Sequence, residues 1–411
     1  MNKAEGQPGA LTPIEEALPA LLDTITPIAA VETVTLKEAS GRVLRQRAQA
    51  SANVPATPTS AMDGYAVRVD DLADTPVDLP VSQRIAAGQT GSSLDSGTAA
   101  RIFTGATLPP GADAVVIQEN CQNMDAGVRV LKEVAVGDNV RAAGEDIRTG
   151  QSLFEPGHRL RPQDLAVLAT AGLVAVSVSR ALRISLLTTG DELVTPGTSL
   201  KPGQIYNANV YSLHALLTAL GAEVKDLGIL PDDPGLTRAA LADAATDSDC
   251  IISTGGVSVG EEDHVKAAVE ALGSLDLWKL AIKPGKPFAA GMIDATRFFG
   301  LPGNPVSSFV TFVLLVRPCL LAMAGCRKLH PLSFRLHADF SRVGGSDRQH
   351  YLRVSLARDA QGRAALNPFR NQSSGVSASL SAAEGLAIVP PHRSVQPGDL
   401  LEFIPFSELI Y

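Results

Sequence analysis

The sequence predicts a multidomain α/β plus β protein: a doubly wound, mostly parallel α/β unit, a small all-β module ahead of it and a second β module at the end. Three observations carry this. A chain of 411 residues exceeds one ordinary core, since domains run to about 100–200 residues. Between Arg183 and Val316, apolar strand-like runs alternate with helical periods, the pattern of a parallel sheet covered on both faces. On either side, short apolar alternations cut by Gly and Pro replace the helical period.

Taken in order, Thr12-Pro13-Ile14-Glu15 has the Thr…Glu spacing of a capping box with Pro at the first helical position, so a helix is expected to about Thr24. Glu32–Gln46 is mixed, and VPATPTSAMDGYAV supplies turn residues, a strand start and a domain boundary. Tyr65 to about Glu145 reads as the small β module. Pro162 then starts a short helix before Gly172 and a strand, returning the chain to the earlier linking segment. RISLLTTGDEL is a strand ending in a Gly-Asp-Glu loop, and Asn209–Leu220 a helix stopped by Gly221. Glu223–Leu230 is a second strand, ending at Pro231-Asp232-Asp233-Pro234. Gly235–Ala245 is a second helix, and Asp249–Ser253 a third strand. Val306–Val316 is helical behind Gly303-Asn304-Pro305, where Asn304 can cap and Pro305 suits the first helical position. Beyond about Arg327, SFRLHADF, QHYLRVSL, AALNPF, EGLAIVP and DLLEFIP form the C-terminal β module.

Composition narrows the function. A formal charge of -8 without a Lys/Arg run argues against nucleic acid or an anionic membrane as partner. The longest uncharged apolar stretch, around Phe309–Val316, is short of the roughly 20 residues that span a bilayer. MNKAEGQPGALTP lacks a signal-peptide core, so the expected location is cytoplasmic. The 4 cysteines and 7 histidines show no zinc spacing, and reduced structural thiols are expected. A single Trp gives little support for stacking on nucleic-acid bases.

Three loops can hold an anion: DCIISTGGVSVGEEDH, WKLAIKPGKPF and FFGLPGNPVSSF. The first and third read strand, loop, helix. Between them Lys279, Lys283 and Lys286 are stiffened by Pro284 and Pro287. Backbone amides at helix starts with fixed ammonium groups make a phosphate or oxyanion site. Each loop alone reads equally well as a tight turn with solvated lysines; three in one α/β unit weigh against that. Asp191, Glu192, Asp232, Asp233, Glu261, Glu262 and Asp263 gather at the same strand ends. Carboxylates repel phosphates unless a hard cation lies between them, which points to Mg²⁺ and a phosphorylated ligand. Glu261 and Glu262 also read as ordinary helix-start acids.

Two familiar motifs nearly match. Gly256-Val257-Ser258-Val259-Gly260 has the GxSxG form of a nucleophile elbow, but Thr254, Gly255 and Gly256 separate Ser258 from its strand. Gly255–Gly260 begins like a P-loop, yet Glu261 stands where lysine is required, and Pro287 follows Gly285-Lys286. Asp63-Gly64 in SAMDGYAV reads locally as a turn.

Together SAMDGYAV, FTGATLPPGADAVV, GEDI, TTGDEL, STGGVSVGEEDH, KLAIKPGKP and GLPGNPVSS, in this order, resemble the molybdopterin molybdenumtransferase family, bacterial enzymes that insert molybdenum and are related to the E domain of gephyrin. The resemblance covers essentially the whole chain, and GLPGNPVS with KPGKP is specific. It implies an elongated homodimer of four-domain subunits: an α/β molybdopterin-binding domain over 1–26 and 179–326, a linker domain over 27–60 and 147–178, an inserted β domain over 61–146 and a C-terminal β-barrel over 327–411. The implied reaction is Mg²⁺-dependent, with adenylylated molybdopterin and molybdate giving molybdenum cofactor and AMP. Implied partners are the molybdopterin adenylyltransferase and downstream cofactor-transfer proteins.

The resemblance carries functional acids onto Asp63, Asp146, Glu192, Asp232 and Asp263 and a hydroxyl onto Thr104, with Asp63, Glu192 and Asp263 around Mg²⁺. Substrate contacts fall on Gly255, Gly256, Ser258, Lys279, Lys283, Lys286, Pro302, Pro305 and Ser307, and more loosely on Arg348 and Ser374, because RQHYLR and NQSSGVSAS keep few family residues. Asp63, Thr104 and Asp146 lie outside the α/β unit and would reach the partner's site. Two other readings are a non-catalytic molybdopterin-binding scaffold of the gephyrin kind and an α/β-hydrolase acting through Ser258.

Overall fold

A computed structural model describes residues 11–256 and 264–410. Its centre is a six-stranded sheet in the order Glu223–Leu230, Arg183–Thr189, Cys250–Thr254, Thr296–Leu301, Pro287–Ile293, Gly273–Lys279. The first four strands are parallel. Pro287–Ile293 runs against them, pairing antiparallel with both of its neighbours, which refines the expected mostly parallel sheet. The strands Arg183–Thr189, Cys250–Thr254 and Thr296–Leu301 are buried almost throughout because helices cover both faces. Successive residues therefore serve opposite cores. Leu186, Ile252 and Phe299 pack under helices Ile14–Leu22, Asn209–Ala219 and the 305–323 run, whereas Leu187, Ile251 and Phe298 meet helices Pro234–Asp247 and His264–Leu272.

The first helix starts without its expected capping box. Pro13 occupies the N-cap position with no side-chain cap bond. Thr12 is drawn instead into a bridge with Leu280, its N–H donating to the Lys279 carbonyl at 2.7 Å. Strand pairing wins over capping because it satisfies both backbone groups of Thr12.

Helix Pro305–Met323 is longer than the uncharged stretch within it, since it runs on through Arg317. With mean hydropathy 2.0 it has the length and composition of a membrane span, yet 89% of it is buried inside the fold. A π-helical segment, Phe312–Val316, interrupts it ahead of Pro318, relieving the clash a proline imposes on the preceding turn. Arg317 is buried there, with Nε and Nη2 donating to the carbonyls of Leu409 and Glu408 at 2.9 Å each. Burial pushes its guanidinium down to about 10.

The five C-terminal runs become strands Phe334–Ala338, Gln349–Arg358, Ala364–Pro368, Gly385–Val389 and Leu400–Pro405, and the first-to-last pairing closes them into a barrel. A sixth piece comes from the α/β unit: Ile282–Lys283 pairs in parallel with Gln349 and His350. Tyr351, Leu386 and Ile404 of the barrel share one core with the central sheet. Ahead of the sheet, Val31–Thr35 pairs with Ala175–Ser179, and Ala48–Gln49 with Ser152–Phe154. Between those paired ends lies a module of two small sheets, one of four strands and one of three. The described cysteines are free, and burial raises the thiols of Cys250, Cys319 and Cys326, which makes them inert.

Candidate functional site

The parallel strands deliver their loops side by side, because Thr188 is in register with Thr254 and Thr254 with Leu301. At this edge Asn209 ties three segments together: Nδ2 donates to Thr254 Oγ1 at 2.8 Å and to the Gly303 carbonyl at 2.7 Å. Gly255 has φ +94°, and a Cβ there would lie 2.8 Å from the Thr189 carbonyl, so only glycine lets these loops approach. Gly256 follows, while Ser258 and Asp263, with Glu261 and Glu262, lie outside the described residues. Pro302 is buried, its carbonyl accepting from Thr254 Oγ1 at 3.4 Å, and Pro305 is the first residue of its helix.

The acidic loops are linked as a pair. The Asp191 amide donates to Asp232 Oδ2 at 3.3 Å, and the Asp232 amide to Asp191 Oδ1 at 3.2 Å. Asp233 instead caps its helix, accepting from the Leu236 amide at 2.7 Å. Glu192 is exposed beside them.

A cleft of about 570 Å³ opens where the 283–287 loop and the start of helix Pro305–Met323 meet the barrel. It brings together Lys283, Lys286, Ser307, Arg348 and Ser374. Arg342, His350, Arg353 and Gln372 also line it, and Lys283, Lys286, Arg342, Arg348 and Arg353 face no Asp or Glu among its lining residues. Gly285 has φ +106°, and a Cβ there would stand 2.5 Å from Thr311 Oγ1. The Ser374 carbonyl accepts from the Val306 amide at 3.0 Å, which fixes Ser374 against the helix start. Arg353 is 1% exposed, with Nε donating to Ser379 Oγ at 3.0 Å and Nη2 to the Ser373 carbonyl at 3.1 Å. Gln372 closes the same corner, bonding both backbone groups of Arg353. Burial pushes Arg353 down to about 10, so it keeps its charge at neutral pH.

Other expected residues lie elsewhere. Lys279 ends its strand, exposed and outside the lining of the cleft. Asp63 and Thr104 sit in the inserted β module, where Asp63 Oδ1 accepts from the amide and hydroxyl of Thr104 at 2.8 Å each. These two bonds, backbone first, hold the Asp63 carboxyl below its ordinary range. Asp63-Gly64 is therefore more than a turn. Asp146 is exposed where the module rejoins the linker, its amide donating to the Val54 carbonyl at 3.0 Å.

Carboxylate oxygens suit Mg²⁺. Among the described residues of one subunit, however, no three Asp, Glu, His or Cys side chains come close enough to hold a metal ion. Sequence reasoning also missed Asn209, Arg342, His350, Arg353 and Gln372. An arginine inside the apolar run HYLRVSL was the available signal for Arg353.

Comparison with known proteins agrees along the chain. Residues 12–172 match the MoeA N-terminal region (domain I and II), 185–322 a probable molybdopterin binding domain, and 335–406 the MoeA C-terminal region (domain IV). A molybdopterin molybdenumtransferase of Haemophilus influenzae is 35% identical over 401 residues, covering 97% of this chain and 99% of that one. One from Nostoc is 36% identical over 79% of this chain and 77% of its own. The crystal structure of a molybdopterin biosynthesis MoeA protein from Pyrococcus horikoshii superimposes with a TM-score of 0.82 at 28% identity, covering 96% of this chain and 100% of that one. A relative 35% identical and aligned end to end, together with the shared multidomain fold, makes this chain a member of the molybdopterin molybdenumtransferase family.

Proposed function

We propose that the protein inserts molybdenum into adenylylated molybdopterin, using molybdate and Mg²⁺ and releasing AMP with the molybdenum cofactor. The observation that carries this reading is the cleft with five cationic side chains and no lining carboxylate, placed beside the loop edge of the sheet. Molybdate is a compact dianion. Lys283, Lys286 and Arg348 would balance its charge, Ser307 and Ser374 would add hydroxyl donors, and Arg353, already locked by its own bonds, would present a donor that needs no reordering. Gly255, Gly256, Pro302 and Pro305 shape the strand-end loops that would take the pterin and its phosphates, and Lys279 and Ser258 would add contacts to the same ligand.

Mg²⁺, when bound, would neutralise charge building on the phosphoanhydride as AMP leaves. Its expected ligands are Glu192 and Asp263 of one subunit and Asp63 of a second copy, with Asp232 and Asp146 orienting water around them. Thr104 supports this assignment, because its two bonds keep Asp63 ionised and aimed. A homodimer is therefore a condition of activity in this proposal, and the molybdopterin adenylyltransferase and cofactor-transfer proteins are the natural cytoplasmic partners.

The test is AMP release from adenylylated molybdopterin by the purified protein, with and without molybdate and Mg²⁺. Release that requires both ions and yields active cofactor supports insertion. Pterin binding without AMP under any condition would leave a scaffold as the better account.

A further inference from the structure

Arg342 is the cationic residue of the cleft that is bonded to an imidazole ring. Its backbone is fixed by a reciprocal bridge with Val395, at 2.8 and 2.9 Å, so the side chain leaves the barrel rim in a set direction. Its Nη2 lies 2.6 Å from Nδ1 of His350. A guanidinium has only donors, so Nδ1 must present its lone pair and the ring must be neutral, with its hydrogen on Nε2. Burial, followed by the charges of Arg342, Lys283 and Arg348, pushes His350 down to about 4, consistent with a neutral ring.

Two features make this more than a packing contact. His350 is 7% exposed and pairs in register with Lys283, so it joins the barrel to the loop that carries two of the cleft's lysines. Its Nε2 is buried and finds no hydrogen-bond partner among the described residues, so the ring adds a donor to a place already rich in donors. A carboxylate in the same position would bond Arg342 as well, but it would cancel the charge and occupy the guanidinium fork. A neutral imidazole orients the arginine and leaves its charge for a ligand.

We propose that Arg342 is an oxyanion ligand of this cleft and that His350 is its positioning residue, holding the guanidinium in place as an uncharged acceptor. The proposal rests on the cleft being the molybdate site. It assigns a binding role to two residues that lie beyond the lysine and serine contacts of the functional reading. It also predicts that the identity of residue 350 tunes affinity for dianions without touching the pterin loops.

The experiment is calorimetric titration of the full-length protein with molybdate alone at neutral pH, with thermal unfolding of each variant as a check on folding. Arg342→Gln should raise the Kd about 10-fold, the scale of one lost charge-assisted hydrogen bond. His350→Glu should weaken binding comparably, while His350→Gln, whose amide oxygen can still accept from Arg342, should restore it to within about 3-fold of wild type. A role in packing alone would not separate Glu from Gln in this way. If substitution of the buried histidine prevents folding, Arg342→Gln and Arg342→Lys decide the matter at the rim. Wild-type binding that Arg342→Gln leaves unchanged overturns the proposal while sparing the functional reading. Failure of the wild type to bind molybdate overturns the assignment of the cleft itself.

Discussion

The cationic cleft and the Asp63–Thr104 pair are opposites in construction. The cleft is assembled within one subunit from the α/β unit and the barrel, and Arg353 at its back is locked by protein partners. The acidic pair sits on a small module inserted in the linker, satisfied within itself, with no metal-binding group around it among the described residues. One region turns five cationic side chains toward a cleft with no lining carboxylate. The other offers a single carboxylate whose charged form its neighbour favours. Under the proposed function the difference makes anion capture separable from anhydride cleavage, the second step needing Asp63 of a second copy of the chain.

The sharpest way to break that division is Asp63→Asn, which should lower AMP release by about 100-fold or more while leaving the Kd for molybdate unchanged. Loss of molybdate binding in that variant would join the two regions into one site. Complementation goes further. Asp63→Asn and Lys283→Ala subunits, each inactive alone, should recover about a quarter of wild-type turnover when randomly mixed, because half the dimers are mixed and each carries one intact site. No recovery would place Asp63 and Lys283 in the same subunit's site.

Arg353→Leu should weaken molybdate binding by about 10-fold or more, and it should also lower the urea midpoint, since Ser379 Oγ and the Ser373 carbonyl lose their donor. Arg353→Lys should recover little of the binding, because an ammonium cannot reproduce the fork. Thr104→Val tests the acidic side more gently. Removing a donor that favours the charged form raises the Asp63 pKa, so the acid limb of the AMP-release profile should move to higher pH. An unmoved limb would mean another group sets it. The smallest effect is expected at Asn209→Ala, where lost ties to Thr254 and Gly303 should cost about 1–2 kcal/mol in denaturant unfolding.

The two regions also differed in how far the sequence revealed them. Strand periodicity and turn residues located the four parallel strands and the five barrel runs, because each signal is local. The antiparallel return through Pro287–Ile293 was not foreseen, since strand direction depends on what the chain pairs with later. Thr12 was misread for the same reason, its local capping pattern yielding to Leu280. Lys283 and Lys286 were visible as lysines between prolines. Arg342, His350 and Arg353 were not, because only closure of the barrel carries them to those lysines. Asp63 stood out by motif, but its bonds to Thr104 span 41 positions and no local pattern contains them.

The short pairing of Ile282 and Lys283 with Gln349 and His350 has a consequence for biosynthesis of the chain itself. A nascent polypeptide that has emerged from the ribosome only through the central sheet has its lysines but neither the strand that steadies them nor the arginines that face them. The cleft comes into being only once the segment through Ser374 is out and the barrel has closed. Synthesis thus keeps the five cations of the cleft apart in unfinished chains, and a product truncated before the barrel would carry only the two lysines.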